Sequence, residues 1–362
     1  MSFKYTATFD QKLTIKVKGF EAPVSIPDKP ALRYFMNYGK DKKDQKFKRT
    51  EFPEWEHLSF YDKQKLVSEE THKRFNGQWW LINGQEIYVN GWAYFYFQYW
   101  WCEFGSLPDF RMEAVDFFLV WDHCVRDKNC FGIFDIKGRR VGDTEKSLCI
   151  MYDMATRYKN SWCGHQNIKD DDAKGNFDRI VKAHQKMQPF FKPVNSGGDA
   201  PKSELVFEFP GKSDADTLTD RSKSTANTSR GVGSKIDFRP TTLAQYDGKR
   251  LRVYYLDEPG KLDHVRMSAK KQWGIIKPCL TLNNQKRIIG KAIFTTTVEN
   301  IKNGLSLDYC RETWEISNPN IKMADGRTES GLYRYFRDYL LASEVDEFGF
   351  PKEDEARLHR QS

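Results

Sequence analysis

CFGIFDIKGRRVGDTEKSLCIMYDMA, residues 130–155, decides how the rest of the chain is read. Residues 132–136 are a short apolar run of strand character, positions 138 and 142 are glycines, and a helix is expected to open near Thr144. Strand, glycine turn and helix start together make a cradle for an anion, because free backbone N–H groups converge there and the helix presents its positive end. The usual phosphate loop reads G-x-x-x-x-G-K-[ST]. In that register this chain has Lys137, Gly138, Arg139, Arg140, Val141, Gly142, Asp143 and Thr144. The second glycine and the hydroxyl are in place, but a carboxylate stands where lysine is usual. A lysine occupies the first position instead. Glycine turns before helices are common, so this loop alone does not fix a nucleotide site.

The chain has 362 residues, 39% hydrophobic and 15% aromatic, which is enough for one large α/β domain with appendages or for two domains. Its formal net charge of +8 suits an acidic partner without naming one. The densest basic run, KDKKDQKFKR at residues 40–49, reads as a solvated, flexible segment. Seven cysteines contain no C-x-x-C pair, and the histidines are dispersed, a pattern for a reducing compartment and against a disulfide framework or zinc site. The first nineteen residues alternate where a signal peptide would run apolar. The most apolar long stretch, residues 82–104, is broken by Asn83, Gln85, Glu86 and Asn90, so no membrane span is expected. The expectation is a soluble, cytoplasmic protein.

Outward from the loop, residues 1–25 alternate like edge strands and residues 50–75 have amphipathic helical spacing. Asn-Gly pairs at 76–77, 83–84 and 90–91 punctuate short aromatic strands. The aromatics that follow are read as core, with base stacking as the alternative. Downstream, strands are expected at 161–167, 204–209, 250–256 and 287–295, and helices at 144–158, 171–187 and 263–277. Residues 210–235 are polar and small and read as a surface loop or long hairpin tip. This alternation predicts an α/β fold with a mainly parallel central sheet flanked by helices.

Two further strand ends carry polar groups. RVYYLDEPGK (residues 252–261) places Asp257 and Glu258 at the sheet's carboxyl edge, where ligands of open α/β sheets bind. There Asp257 suits Mg²⁺, with the Thr144 hydroxyl, and Glu258 suits the orientation and deprotonation of a water. Thr295, Thr296 and Thr297 end another apolar strand and suit hydrogen bonding toward a γ-phosphate. Arg139 and Arg140 are candidates to neutralise charge that develops during hydrolysis. Gln98, the amide available in the aromatic region before the loop, is the candidate to read an adenine edge. Together these signals make an NTP hydrolase using ATP and Mg²⁺ the economical reading.

The segments KGRRVGDT, GHQNIKDDDAKGNFDRIVKAHQKMQPFFKP, YDGKRLRVYYLDEPGK, IIGKAIFTTTVE and GRTESGLYRYF resemble, in order, the large terminase subunit of tailed bacteriophages. The resemblance covers roughly residues 75–350. It implies a P-loop NTPase fold of the additional-strand (ASCE) type that powers DNA packaging, with Glu258 as catalytic base and Thr295–Thr297 as coupling motif. Some family members carry the loop lysine at its start, as Lys137 would be. The resemblance divides the chain into an amino-terminal adaptor or lid (1–90), the ATPase domain (91–330) and a linker toward a nuclease domain (331–362). It implies double-stranded DNA, the portal protein and the small terminase subunit as partners, a homo-oligomeric ring on the procapsid, and a place in the host cytoplasm, transiently on the portal. No carboxylate cluster with two-metal spacing follows Thr297, so DNA cleavage is not expected. The alternatives are another nucleic-acid-directed ATPase of helicase type, or a non-hydrolysing DNA- or portal-binding relic whose loop Asp143 has disabled.

Overall fold

The computed structural model describes residues 13–138, 142–196, 198, 200, 201–208, 232–240, 242–262, 268–282, 287–297, 305–337 and 344–352. The chain divides into two compact units, one of residues 1–99, 107–123 and 340–362, the other of residues 100–106 and 124–339.

The first unit opens with the antiparallel pair β1 (Leu13–Ile15) and β2 (Val24–Ile26). Helix α1 (Phe60–Asn76) starts at Ser59, whose hydroxyl accepts from the Asp62 amide, and stops at Gly77, with φ +67°. The Asn83-Gly84 pair turns β3 (Gln78–Ile82) into β4 (Gln85–Val89), and both turn residues have positive φ, as a two-residue hairpin requires. Helices α2 (Gly91–Tyr99) and α3 (Met112–Arg126) follow. The aromatics are core: Tyr94, Phe95 and Phe97 are fully buried, as is Trp80 on β3. Gln98 is buried too, and its amide is committed to the backbone of Thr50, accepting from N at 2.9 Å and donating to O at 2.8 Å.

The basic run at 40–49 is pinned where a flexible segment was expected. Asn37 donates to Lys46 O and Leu81 O at 2.9 and 3.0 Å. Gln45, buried, donates to Lys40 O and accepts from the Gly84 amide, both at 2.8 Å. Two buried amides thus hold the loop while Lys40, Lys42, Lys43 and Lys48 stay exposed. A charge count cannot register such short polar anchors.

The second unit is built on β5 (Gly132–Lys137), α4 (Asp143–Arg157), β6 (Trp162–Gln166), α5 (Asp170–Gln185), β7 (Asn195–Ser196), β8 (Glu204–Phe207), β9 (Lys235–Phe238) and β10 (Val253–Asp257). Then come α6 (Ala269–Cys279), the small pair β11 (Thr281–Leu282) and β12 (Arg287–Ile288), β13 (Lys291–Thr297), α7 (Leu305–Glu315) and β14 (Leu332–Phe336). The eight-stranded sheet runs β14-β5-β13-β10-β6-β9-β8-β7. Its first six strands are parallel, and β8 and β7 extend it antiparallel. β13, late in sequence, is inserted between β5 and β10. This strand order makes an α/β fold with a mainly parallel sheet.

Alternation along the strands sorts the two faces. Phe134, Tyr254, Leu256 and Phe294 enter one apolar core with Trp273 and Ile276 of α6. Asp135, Lys137, Tyr255, Asp257, Thr295 and Thr297 share the other face. The strand expected at 287–295 is two strands parted at Gly290, where an added Cβ would lie 2.1 Å from Leu251 O. Helix α6 starts later than expected, capped by the Ser268 hydroxyl. β14 lies inside the stretch read as linker and pairs with β5. Most of the polar stretch 210–235 lies outside the described residues, as do Arg139, Arg140 and Val141 of the loop. Among the described residues, no helix is long and apolar enough to cross a membrane.

Candidate functional site

The carboxyl ends of β5, β13 and β10 are neighbours, so three separate stretches of sequence deliver their polar groups to one edge. Asp257 lies at its centre, 6% exposed. One of its oxygens, Oδ1, accepts from Lys137 Nζ at 3.2 Å and Thr295 Oγ1 at 2.8 Å, and Oδ2 accepts from Asn167 Nδ2 at 3.3 Å. Glu258 Oε1 lies 3.7 Å from Lys137 Nζ. Its Oε2 accepts from the Thr297 amide at 3.1 Å and hydroxyl at 2.9 Å, and pairs with Lys261 at 3.2 Å. Burial works against charge on Asp257, but Lys137 and the Thr295 hydroxyl outweigh it and hold the carboxyl below its ordinary pKa. For Lys137, burial pulls the pKa down, and the stronger combined pull of Asp257, Tyr255, Asp143 and Glu258 raises it. The lysine and Asp257 therefore stay charged.

Glu258 has φ +55° and ψ +47°, the left-handed region that a non-glycine residue enters at a cost of roughly 1–3 kcal/mol. Its amide donates to Thr295 O at 2.7 Å, and the two Thr297 bonds fix its side chain, so β13 supplies what holds the strained residue. Thr296 faces the opposite side of the sheet, against Gly260, where an added Cβ would lie 2.8 Å from its Oγ1. Of the three threonines, Thr295 and Thr297 thus reach the carboxylates and Thr296 does not.

The loop's remaining described residues lead into α4. Gly142, with φ +77°, is the helix N-cap, and Asp143 is the first helical residue. Lys146 forms an ion pair with Asp143 in which both side chains are buried. Helical side chains lean toward the amino terminus, which brings the fourth residue of the helix back over the first. The Tyr255 hydroxyl meets Thr295 Oγ1 at 3.2 Å, and Thr144 is the second residue of α4.

Four residues that the sequence reading passed over belong to this edge. Asn167 directly follows β6 and bonds Asp257, while its own Oδ1 is taken by the Ile168 amide at 2.6 Å. Lys261 stands three residues after Glu258 and pairs with it. His165 is buried, stacked on Tyr255 at 4.7 Å between ring centroids, and desolvation lowers its pKa to about 4 even with Asp257 nearby. Asp135 lies buried in the middle of β5. Only Lys261 carried a usable signal, the three-residue spacing from Glu258; the others depend on strand register. Chemically the edge combines ammonium groups and a helix start suited to phosphate with oxygen donors, Asp257 and Thr144, suited to a hard cation.

No family model matches the chain. No curated protein matches it in sequence. Among solved structures, the large terminase ATPase domain of Thermus phage P74-26 is similar with a TM-score of 0.40 and 13% identity, over 60% of this chain and 79% of that one. A point-mutant form of that domain gives 0.40 and 14%, over 60% and 80%. The large terminase of bacteriophage HK97 gives a TM-score of 0.46 and 10% identity over 74% of this chain, which spans 50% of that protein.

Proposed function

We propose that this chain is the ATP-hydrolysing motor part of a phage large terminase, driving double-stranded DNA into procapsids. The observation that carries the reading is the clasp at the sheet edge, where the ends of β5 and β13 hold the Asp257–Glu258 pair at the end of β10. Glu258 is the base: it orients a water and takes its proton, and the Thr297 bonds aim its carboxylate. Asp257 and the Thr144 hydroxyl would hold Mg²⁺. Lys137, the loop from Gly138 to Gly142 and the start of α4 would hold the phosphates, with Arg139 and Arg140 meeting the charge that develops. The donor set fits both groups, since hard oxygens suit Mg²⁺ and N–H and ammonium groups suit phosphate. When bound, the nucleotide would supply the anhydride to be broken, and the metal the positive charge that screens the phosphate oxygens and so lowers their repulsion of an attacking water. Thr295 and Thr297 couple the state of the carboxylates to β13. On this reading the partners are DNA, the portal, the small terminase subunit and further copies of the chain in a ring.

Phosphate release from Mg·ATP, measured with and without double-stranded DNA and with and without procapsids, tests this. Turnover that procapsids stimulate beyond the effect of DNA supports the packaging motor. Stimulation by DNA alone favours a helicase-like ATPase, and absence of both binding and turnover removes the enzyme reading.

A further inference from the structure

At the amino ends of β5 and β14, the opposite end of these strands from the carboxylate edge, lies a cleft of about 650 Å³. Phe131, just before β5, lines it together with Lys277 and Pro278 from the end of α6 and Met323 and Arg327 from the turn that precedes β14. Phe131 and Trp273 meet edge to face at 5.7 Å, and each ring carries one cation. Arg327 Cζ stands 5.4 Å from the Phe131 centroid, and Lys277 Nζ stands 5.3 Å from that of Trp273. One aromatic pair thus sets two cations on the same cleft. Among the described residues Lys277 has no carboxylate partner. Burial, and then the Arg327 guanidinium, pull its pKa below the ordinary value. Arg327 Nε has Asp325 Oδ2 at 3.8 Å, on a side chain 59% exposed, a contact that water largely screens.

We propose that this cleft docks a segment of a partner protein in which a glutamate or aspartate stands beside a large apolar residue. The carboxylate lies between Lys277 and Arg327, and the apolar side chain lies against Phe131, Pro278 and Met323. Two partly desolvated cations on apolar rings repel each other, and one carboxylate relieves that repulsion while giving Lys277 the partner it lacks. The volume is that of an ordinary ligand pocket. Two features select a peptide over other anions. Met323, 53% exposed, and Ile321 two residues before it, 65% exposed, add apolar surface that a small anion would leave bare. Asp325 and Glu329, exposed and lining the same cleft, repel the successive charges of a nucleic-acid backbone and suit a basic residue on the docked segment. The walls are already built: Trp273 Nε1 donates to Ser330 O at 3.2 Å, the Met323 amide to Arg327 O at 2.7 Å and the Arg327 amide to Asp325 Oδ1 at 3.0 Å. Docking therefore orders little of this chain. The inference holds whether or not the opposite edge of the sheet hydrolyses ATP.

The test is calorimetric titration of the full chain with the peptide acetyl-Lys-Phe-Glu-Leu-Gly-amide and with its Gln analogue, for the parent and K277M, together with melting curves of both proteins. The parent is expected to bind the Glu peptide roughly tenfold more tightly than the Gln peptide, the effect of one charge-assisted contact, and K277M to lose most of that preference. K277M is expected to melt no lower than the parent, because the substitution keeps an apolar stem on Trp273 and removes a partly buried cation beside Arg327. Equal affinity of the parent for the two peptides, no binding of either at millimolar concentration, or a K277M variant with the parent's full preference overturns the proposal. So does K277M melting well below the parent, which assigns Lys277 to the fold. Acetylglutamate amide that binds as tightly as the peptide makes the cleft a small-anion site, and a DNA duplex that displaces the Glu peptide makes it a nucleic-acid contact; either result also overturns it.

Discussion

Removing the Lys137 ammonium is the most informative single change to this fold. In Lys137→Ala, Asp257 loses a partner at 3.2 Å and Glu258 one at 3.7 Å, while both carboxylates remain largely buried. At an effective dielectric of 20 the first contact alone corresponds to ~5 kcal/mol of Coulomb attraction. Thr295, Asn167 and Lys261 still serve the carboxylates, and the lysine no longer has to be desolvated. The net loss is therefore nearer the low end of what breaking a buried pair costs, about 3 kcal/mol. For a unit of this size that lowers the melting temperature by ~6–12 °C. Lys137 holds Asp257 below its ordinary pKa, so the parent gains stability from this carboxyl above its unfolded value and loses it on acidification. In the variant burial prevails and Asp257 protonates more readily, so the gap between the two proteins is widest near neutrality and narrows as pH falls toward about 4. Melting curves at pH 7.5 and 4.5 read both effects. A variant that melts within ~2 °C of the parent at pH 7.5, or a gap that widens in acid, would refute the reasoning.

Glu258→Gln is expected to remove at least 99% of ATP turnover, measured as phosphate release, while calorimetry still detects ATP binding; binding lost in step with turnover would assign Glu258 another role. Asn167→Ala should raise the Mg²⁺ concentration needed for half-maximal turnover several-fold with a smaller effect on the maximal rate, because it frees Asp257 Oδ2; an unchanged Mg²⁺ response excludes a positioning role. Gly132→Ala should leave little soluble folded protein, since Gly132 has φ +142° and its added Cβ would lie 1.9 Å from Ala292 O between paired strands; near-parental yield and melting would contradict the register of β5 and β13.

The elements that decide the fold were legible where composition changes sharply along the chain. The apolar runs ending in Lys137, Asp257 and Thr297 are strands, and their polar ends fall on one edge, because a parallel sheet with intervening helices leaves no other place for them. Less legible were features set by contacts distant in sequence. Asn167 meets Asp257 across 90 positions, and Gln98 meets Thr50 across 48. Gln98 was read as a free amide because sequence shows a polar atom but not the backbone it serves. The pairing of Lys146 with Asp143 is local but equally unmarked in the sequence: it depends on a four-carbon side chain leaning toward the amino terminus of its helix. The strand break at Gly290 depends on the close approach of Leu251, which no periodicity encodes.

The lysines and carboxylates described at this edge pair with one another. Lys137 and Lys261 balance Asp257 and Glu258, and Lys146 balances Asp143. On the proposed reading, a triphosphate entering such a set meets no surplus cation from these residues beyond the partial charge at the start of α4. Arg139, Arg140 and Mg²⁺ must meet part of the added charge, and the rest has to come from a lysine that loosens its carboxylate. Lys137 is the one that bridges both acids, so its movement toward phosphate frees Glu258 Oε1 and leaves Oε2 with Thr297 and Lys261. The base would then be unmasked by the binding of its own substrate while its aim is kept by β13. That arrangement explains why the strand inserted between the loop strand and the carboxylate strand has to carry hydroxyls at both Thr295 and Thr297, and why Thr296 between them, facing the other way, does not share in it.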